Sequence, residues 1–408
     1  MLYVLAMFGC FVAFMPLAPL ILPAKIAAIG TIRGGAAQVV ALSWLLIAGG
    51  CMAALGNIVA GHISDRVYAR DGHRRRMIVA GLAAVIAALA LLAAARGFAG
   101  LMIAVLAFQL ALNCLLSPLV AMLVDHVSDR AKGMMAGWLG LALPAGSLAV
   151  ALLARLPAIG TAAQIGVTGA ITAALVLPLL LFWPRRLPDA LALPARASLP
   201  VAAAPRDMLR NFGLAWTARL LIQFAAAAIL PYLYHYVAHV VRPAGGVAAI
   251  STAVGTLSLG FTAASILGGL AIGAWSDRAR RRQWVLAGSA LAVAFGMAGL
   301  AALRLWPLVV AAYALFAMGL AGFLAVDGAM VAQLIAASRR RATLLGIMNL
   351  TNTLPAVLAP VITLVMIGDG GREVGGRIVL VLELATAGAL IAALCAARIN
   401  LPQRSGRE

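Results

Sequence analysis

Apolar runs of about 20 residues, the length needed to cross a bilayer as helix, recur along the whole chain between short polar breaks. Twelve can be placed, at 4–26, 38–60, 77–95, 100–124, 134–154, 164–183, 211–237, 247–272, 283–303, 307–334, 343–367 and 378–398. No run alternates apolar and polar residues with the period of a strand, and only helices or closed barrels satisfy their backbone in lipid. The pattern therefore predicts an all-α membrane protein with twelve transmembrane helices. Pro16, Pro19 and Pro23 interrupt the first run where a cleavable leader would carry small residues, and no basic stretch precedes it. It is read as the first span.

Composition agrees: 64% of residues are hydrophobic and only 11% are charged, too few to cover a water-soluble surface of this size. The formal charge of +19 would suggest nucleic acid in a soluble protein. Its distribution gives a different explanation. With the N-terminus inside, 22 of the 31 Lys and Arg fall in inward loops or the C-terminal tail and eight in outward loops, leaving Arg219 within a span. That asymmetry follows the positive-inside rule. It predicts cytoplasmic N- and C-termini and a multi-pass location in the cell inner membrane, with lipid and no nucleic acid as partner. Cys10, Cys51, Cys114 and Cys395 lie within apolar runs at unrelated spacings, so they read as packing residues rather than disulfides or metal ligands.

The chain repeats at about half its length. Gly61-His-Ile-Ser-Asp65-Arg66 returns as Gly273-Ala-Trp-Ser-Asp277-Arg278, an offset of 212, and arginines follow each copy. A fainter echo links 137–146 with 346–355. This predicts two pseudo-symmetric six-helix bundles over 1–183 and 211–398, a polar cytoplasmic linker over 184–210 and a cytoplasmic tail over 399–408. Two parallel repeats with a site between them are a transporter architecture.

The stretch 61–76 (GHISDRVYARDGHRRR) resembles the loop motif of the major facilitator superfamily, whose core is a Gly, an Asp-Arg pair and a further Gly-Arg-Arg. Its long form, with Arg70, Gly72 and Arg74 to Arg76, is most similar to cation-coupled sugar symporters. Asp125-His-Val-Ser-Asp-Arg130 resembles the superfamily's second cytoplasmic element. The resemblance implies that spans 1, 4, 7 and 10 line a cavity. It also implies that Gly61, Asp65, Arg66, Arg70, Arg74, Asp125, Arg130, Gly273, Asp277 and Arg278 form a cytoplasmic gate. Each repeated Asp would lie near a helix N-terminus of the other half, where unpaired N–H groups stabilise a carboxylate.

Ionisable groups inside hydrocarbon cost several kcal/mol and mark function by default. Arg219 in span 7 and Asp327 in span 10 lie at similar depth, and Glu383 lies in span 12. Asp327 is expected to carry the coupled proton, with Arg219 as its partner or as an anchor for a substrate anion. The alternative is a permanent ion pair that holds the two spans together. Glu383 reads as a helix contact or a snorkelling side chain. Neutral polar residues form stripes: Gln109, Asn113 and Ser117 in span 4, Gln223 one turn from Arg219 in span 7, and Asn349 and Asn352 with Thr353 in span 11. Such amides and an Arg fork bind hydroxyl-bearing solutes, although Asn, Gln and Ser also supply bonds between helices. His235 and His239 share a spacing of four, but their Tyr neighbours suit an interfacial belt better than a metal site.

The reading is a proton-coupled symporter for a sugar or organic anion, working as a monomer by alternating access. A drug or metabolite–proton antiporter is the alternative within transport, and a transporter-shaped sensor or assembly factor is the alternative outside it. No nucleotide loop, metal cluster or nucleophile–base set is present in the sequence, so no enzyme activity and no cofactor are expected.

Overall fold

In the computed structural model the described residues are 2–125, 135, 138–139, 141–156, 159–183, 206–278, 282–334, 341–368 and 373–400. Among them the chain is helical, with α1 (Leu2–Ala27), α2 (Gly35–Asp71), α3 (Arg75–Ala94), α4 (Phe98–Asp125), α5 (Ala142–Ala154) and α6 (Gly160–Leu181). The second series is α7 (Arg206–Ile229), α8 (Gly246–Arg278), α9 (Arg282–Ala302), α10 (Trp306–Leu334), α11 (Arg341–Gly368) and α12 (Val374–Ala397). Eleven of these are long and apolar enough to cross a membrane. The described part of the twelfth, α5, is shorter, because much of the predicted run 134–154 lies outside the described residues.

The chain divides into two compact units. One comprises Met1–Ala197, Tyr232–Ala238 and Arg242–Leu259, and the other Ser198–Pro231, His239–Val241 and Gly260–Glu408. In the first, α1 packs on α5 and α6, α3 on α4 and α6, and α2 on α4. In the second, α7 packs on α11 and α12, and α9 on α10 and α12. The counterpart of the α2–α4 contact joins α8 to α10, where a Cβ on Gly268 would meet Met318 and one on Gly322 would meet Ile272. The same neighbours therefore recur six helices later, which is the repeat of the sequence expressed as packing. Glycines allow the closest of these approaches. A Cβ on Gly81 of α3 would lie 2.7 Å from the backbone of Leu115, and one on Gly296 of α9 would lie 2.6 Å from that of Phe316. Small residues at such crossings let helices associate in lipid through dispersion.

The first helix of each series is interrupted. In α1, Pro16 and Pro19 remove backbone donors, and a π turn over Leu17–Ile21 restores the ladder through Ile21 N–H to the Pro16 carbonyl at 3.0 Å. After α7 the chain breaks around Pro231, forms a short helix at Leu233–Tyr236 and then a π turn at Val237–Val241.

The motif at 61–71, expected in a loop, is helix. α2 runs 37 residues, about 55 Å at 1.5 Å per residue, because nothing in 61–71 breaks it before Gly72. Gly72 ends it in the left-handed conformation, φ 70°, with its N–H bonded to the Tyr68 carbonyl at 2.9 Å. The second copy likewise closes α8 as helix. Of the predicted linker over 184–210, residues 184–205 lie outside the described residues and 206–210 are helix, opening α7; of the predicted tail over 399–408, residues 401–408 lie outside them.

Candidate functional site

α7 carries Arg219 and, one turn on, Gln223; α10 carries Asp327; α11 carries Asn349 and Asn352. Within the second unit α7 packs against both α10 and α11, and the five side chains join in one network. The Arg219 Nη1 donates to Asp327 Oδ2 at 2.8 Å, with Arg219 about one-fifth exposed and Asp327 wholly buried at 0%. Arg219 Nη2 donates to Asn352 Oδ1 at 3.3 Å, and Gln223 Nε2 donates to the same oxygen at 2.9 Å. Asn352 in turn donates through Nδ2 to Asn349 Oδ1 at 3.0 Å. Trp216, on the preceding turn of α7, donates through Nε1 to the Ile347 carbonyl at 2.9 Å and ties α7 to α11 beside the network.

The network has a direction. Asp327 lies at its buried end, Arg219 and Gln223 are half-buried, and Asn349 and Asn352 are exposed. Amides and a guanidinium on a transmembrane face are unfavourable against acyl chains, so this face belongs away from lipid. Two buried polar atoms, Arg219 Nε and Asp327 Oδ1, have no hydrogen-bond partner among the described residues. Unmet valences at a buried ion pair are costly, and they leave the pair able to take another polar group.

The stripe on α4 has a different environment. Asn113 is buried and donates through Nδ2 to the Gln109 carbonyl of its own helix at 2.9 Å. Its side chains face glycines of α2. A Cβ on Gly49 would lie 3.4 Å from Gln109 Nε2, one on Gly56 3.4 Å from Asn113 Cβ, and one on Gly61 3.6 Å from Ser117 Oγ. Gln109, Asn113 and Ser117 thus line a close helix crossing, the setting in which small and polar residues join spans.

At the end of α2, Arg74 is buried and donates through Nη1 to Ser64 Oγ at 2.5 Å and to Asp65 Oδ1 at 3.0 Å, and its guanidinium stacks 4.8 Å over the Tyr68 ring. Arg70 pairs with Asp71 at 3.1 Å, as does Arg76. Arg66 is exposed, and Arg278 donates to the Ala274 carbonyl at 3.4 Å. Gly61 and Gly273 lie on helix. Arg130 and the side chains of Asp125 and Asp277 lie outside the described residues. Glu383 on α12 is exposed.

The Tyr and His residues after α7 suit an interfacial belt by their sequence. Tyr232, His235 and Tyr236 are buried within the protein, at 2%, 0% and 0% exposure, and the Tyr232 hydroxyl shares a 2.7 Å hydrogen bond with Ser43 of α2. Residues 189 positions apart meet there, and no local spacing announces such a contact.

The profile of the Major Facilitator Superfamily matches residues 1–251. Among solved structures, the chain is similar to a bacterial homologue of the human lysosomal transporter Spinster in its inward-facing, occupied conformation. The identity is 15%, the TM-score 0.67, and the match covers 97% of this chain and 94% of that one. The inward-facing, unoccupied form of such a homologue matches with 14% identity, a TM-score of 0.60 and coverage of 98% and 94%. No curated protein matches significantly. The profile spans more than half of the chain, and the structural likeness extends the same fold through α12. The chain belongs to the major facilitator superfamily, a family of multi-pass membrane transporters rather than enzymes.

Proposed function

We propose that this protein moves a small polar solute across the cell inner membrane by proton-coupled symport, as a monomer with both termini cytoplasmic. Its two six-helix bundles alternate access to a site that includes Arg219, Gln223, Asp327, Asn349 and Asn352. The observation that carries the coupling is the 2.8 Å pair of Arg219 with a fully buried Asp327, joined through Asn352 to exposed amides. A proton carrier must hold its proton in one state and release it in the other. A guanidinium that withdraws and returns supplies that alternation, since a close cation favours the carboxylate and desolvation favours the acid. The arginine-rich ends of α2 and α8, with Asp65, Arg66, Arg74 and Arg278, serve as the cytoplasmic gate, and the positive-inside asymmetry supports that orientation.

Purified protein in liposomes, given an imposed pH gradient, tests this reading. Solute accumulation should follow the proton gradient inward, and Asp327→Asn should abolish accumulation while passive counterflow survives, because the neutral amide resembles the protonated acid. Solute extrusion driven by inward protons would assign antiport instead. Normal accumulation by Asp327→Asn would remove Asp327 from the coupling.

A further inference from the structure

The network also bears on what is carried. Along it, the groups nearest the exposed face are amides and a guanidinium, and the single carboxylate is last and fully buried. An arriving solute meets donors first. The Arg219 guanidinium has two of its nitrogens engaged, one by Asp327 and one by the Asn352 carbonyl oxygen, while Nε has no partner among the described residues. Gln223 and Arg219 converge on the one acceptor, Asn352 Oδ1, an arrangement in which donors outnumber acceptors. Such a face favours an acceptor-rich, negatively charged group, and a planar carboxylate matches the guanidinium fork in two parallel bonds. A neutral polyol would leave the fork tied to Asp327 and gain only single neutral bonds.

From this order of groups we infer that the carried solute is an organic anion bearing a carboxylate, which takes Arg219 from Asp327. The inference rests on the transport role proposed for the same site and narrows its substrate. Its consequence is a fixed exchange: the solute carboxylate replaces the Asp327 carboxylate on Arg219, and Asp327, left without its counter-ion in a dry setting, takes up one proton. Anion and proton then travel together, one of each, and the site's net charge is the same empty and loaded. The amides of Asn349, Asn352 and Gln223 hold the rest of the solute.

The test asks whether Arg219 accepts a free carboxylate once its internal partner is gone. Full-length protein, Asp327→Asn, and the double variant Arg219→Gln with Asp327→Asn are purified and melted at pH 8. The melts are run with acetate, lactate or succinate, with glucose and xylitol as neutral controls at matched ionic strength. The carboxylates should raise the melting temperature of Asp327→Asn by several degrees, as binding to the folded state requires. They should raise the wild type less, because there the anion must displace Asp327 and see it protonated at pH 8, and they should leave the double variant unmoved. Asp327→Ala, which leaves room for the same anion, carries the test if the amide variant does not fold. Three results overturn the inference: a single variant indifferent to every carboxylate, a double variant raised equally, or polyols as effective as carboxylates. The liposome experiment separates this failure from that of the transport reading. If Asp327→Asn loses proton-driven accumulation yet ignores carboxylates, the coupling stands and the substrate class falls. If it binds carboxylates but accumulates solute normally, the coupling falls instead.

Discussion

The polar stripe of α4 and the polar face of α7 have the same four-residue spacing in the sequence and opposite surroundings in the structure. Gln109, Asn113 and Ser117 look onto Gly49, Gly56 and Gly61 of α2, and Asn113 spends a donor on its own helix. Arg219 and Gln223 look onto Asp327 and Asn352 of two other helices and form bonds across all three. Neutral amides opposite glycine can be satisfied locally while the helices close up. A guanidinium in the same position cannot: it needs an acid, and the acid must be brought from elsewhere in the fold. Charge, rather than polarity, therefore separates the face of α7 proposed for coupling from the face of α4 that lines a helix crossing.

The comparison breaks most easily at Arg219. Replacing it with Ala strands the fully buried Asp327, a loss of about 3–5 kcal/mol by analogy with other broken buried pairs. The double variant with Asp327→Asn removes the stranded charge and should recover a large part of that stability. Thermal melting of the single and double variants measures the difference. Equal losses in the two would mean that Asp327 does not depend on Arg219, and the proposed contrast between the faces would fail.

A smaller effect tests whether packing, unlike charge, is shared by both units. Gly81→Ala and Gly296→Ala each place a Cβ under 3 Å from the backbone of the next helix. Overpacking of this kind costs about 1–3 kcal/mol, and the two losses should be similar, with solute affinity unchanged in both. A change in affinity for Gly296→Ala alone would show that its helix pair contributes to the site.

Much of this was legible in the sequence, for identifiable reasons. Apolar runs mark spans because lipid leaves the backbone few options, and the arrangement of α1 to α12 follows them closely. Arg219 and Asp327 stood out because isolated charges in apolar runs are conspicuous, and their matched depth made them candidates for one pair. Periodicity showed that Gln109, Asn113 and Ser117 share a face but carried no information about what that face meets. Gly49, Gly56 and Gly61 were the available signal, since helices joined in lipid favour small residues at the crossing. Asn352 was visible as a polar residue, but its role as acceptor for two side chains of α7 depends on tertiary geometry. The helical course of 61–71 was obscured by the motif's familiar description as a loop, although only Gly72 has the freedom to end the helix.

Next in size are two single amides, one from each face. Asn113→Ala should lower stability by about 0.5–1.5 kcal/mol, the net contribution of a hydrogen bond, and leave solute affinity alone. Gln223→Ala should do the reverse, weakening affinity about 2- to 10-fold with little change in melting. Counterflow and melting on both variants decide between them. If Asn113→Ala weakens affinity instead, the α4 stripe belongs to the solute site after all.

The smallest stability effect comes from a second carboxylate–guanidinium pair, which isolates burial as the variable. Asp65 and Arg74 meet at 3.0 Å, close to the 2.8 Å of Asp327 and Arg219, yet Asp65 is 74% exposed where Asp327 is 0%. Water screens the exposed pair, and such pairs contribute about 0–1 kcal/mol. Asp65→Asn should therefore melt within about 0.5 kcal/mol of the wild type, an order of magnitude below the loss at Arg219. Arg74→Ala should lose more than Asp65→Asn, because Arg74 is itself buried, bonds Ser64 and stacks on Tyr68. A gate role adds a kinetic expectation: Asp65→Asn should slow transport while leaving solute affinity intact, since it alters the populations of the two access states rather than the site. Transport at the wild-type rate would reduce the 61–66 motif to a charged helix end. A large loss of stability would show that exposure at this pair does not set its strength, and the distinction drawn between the two pairs would fail.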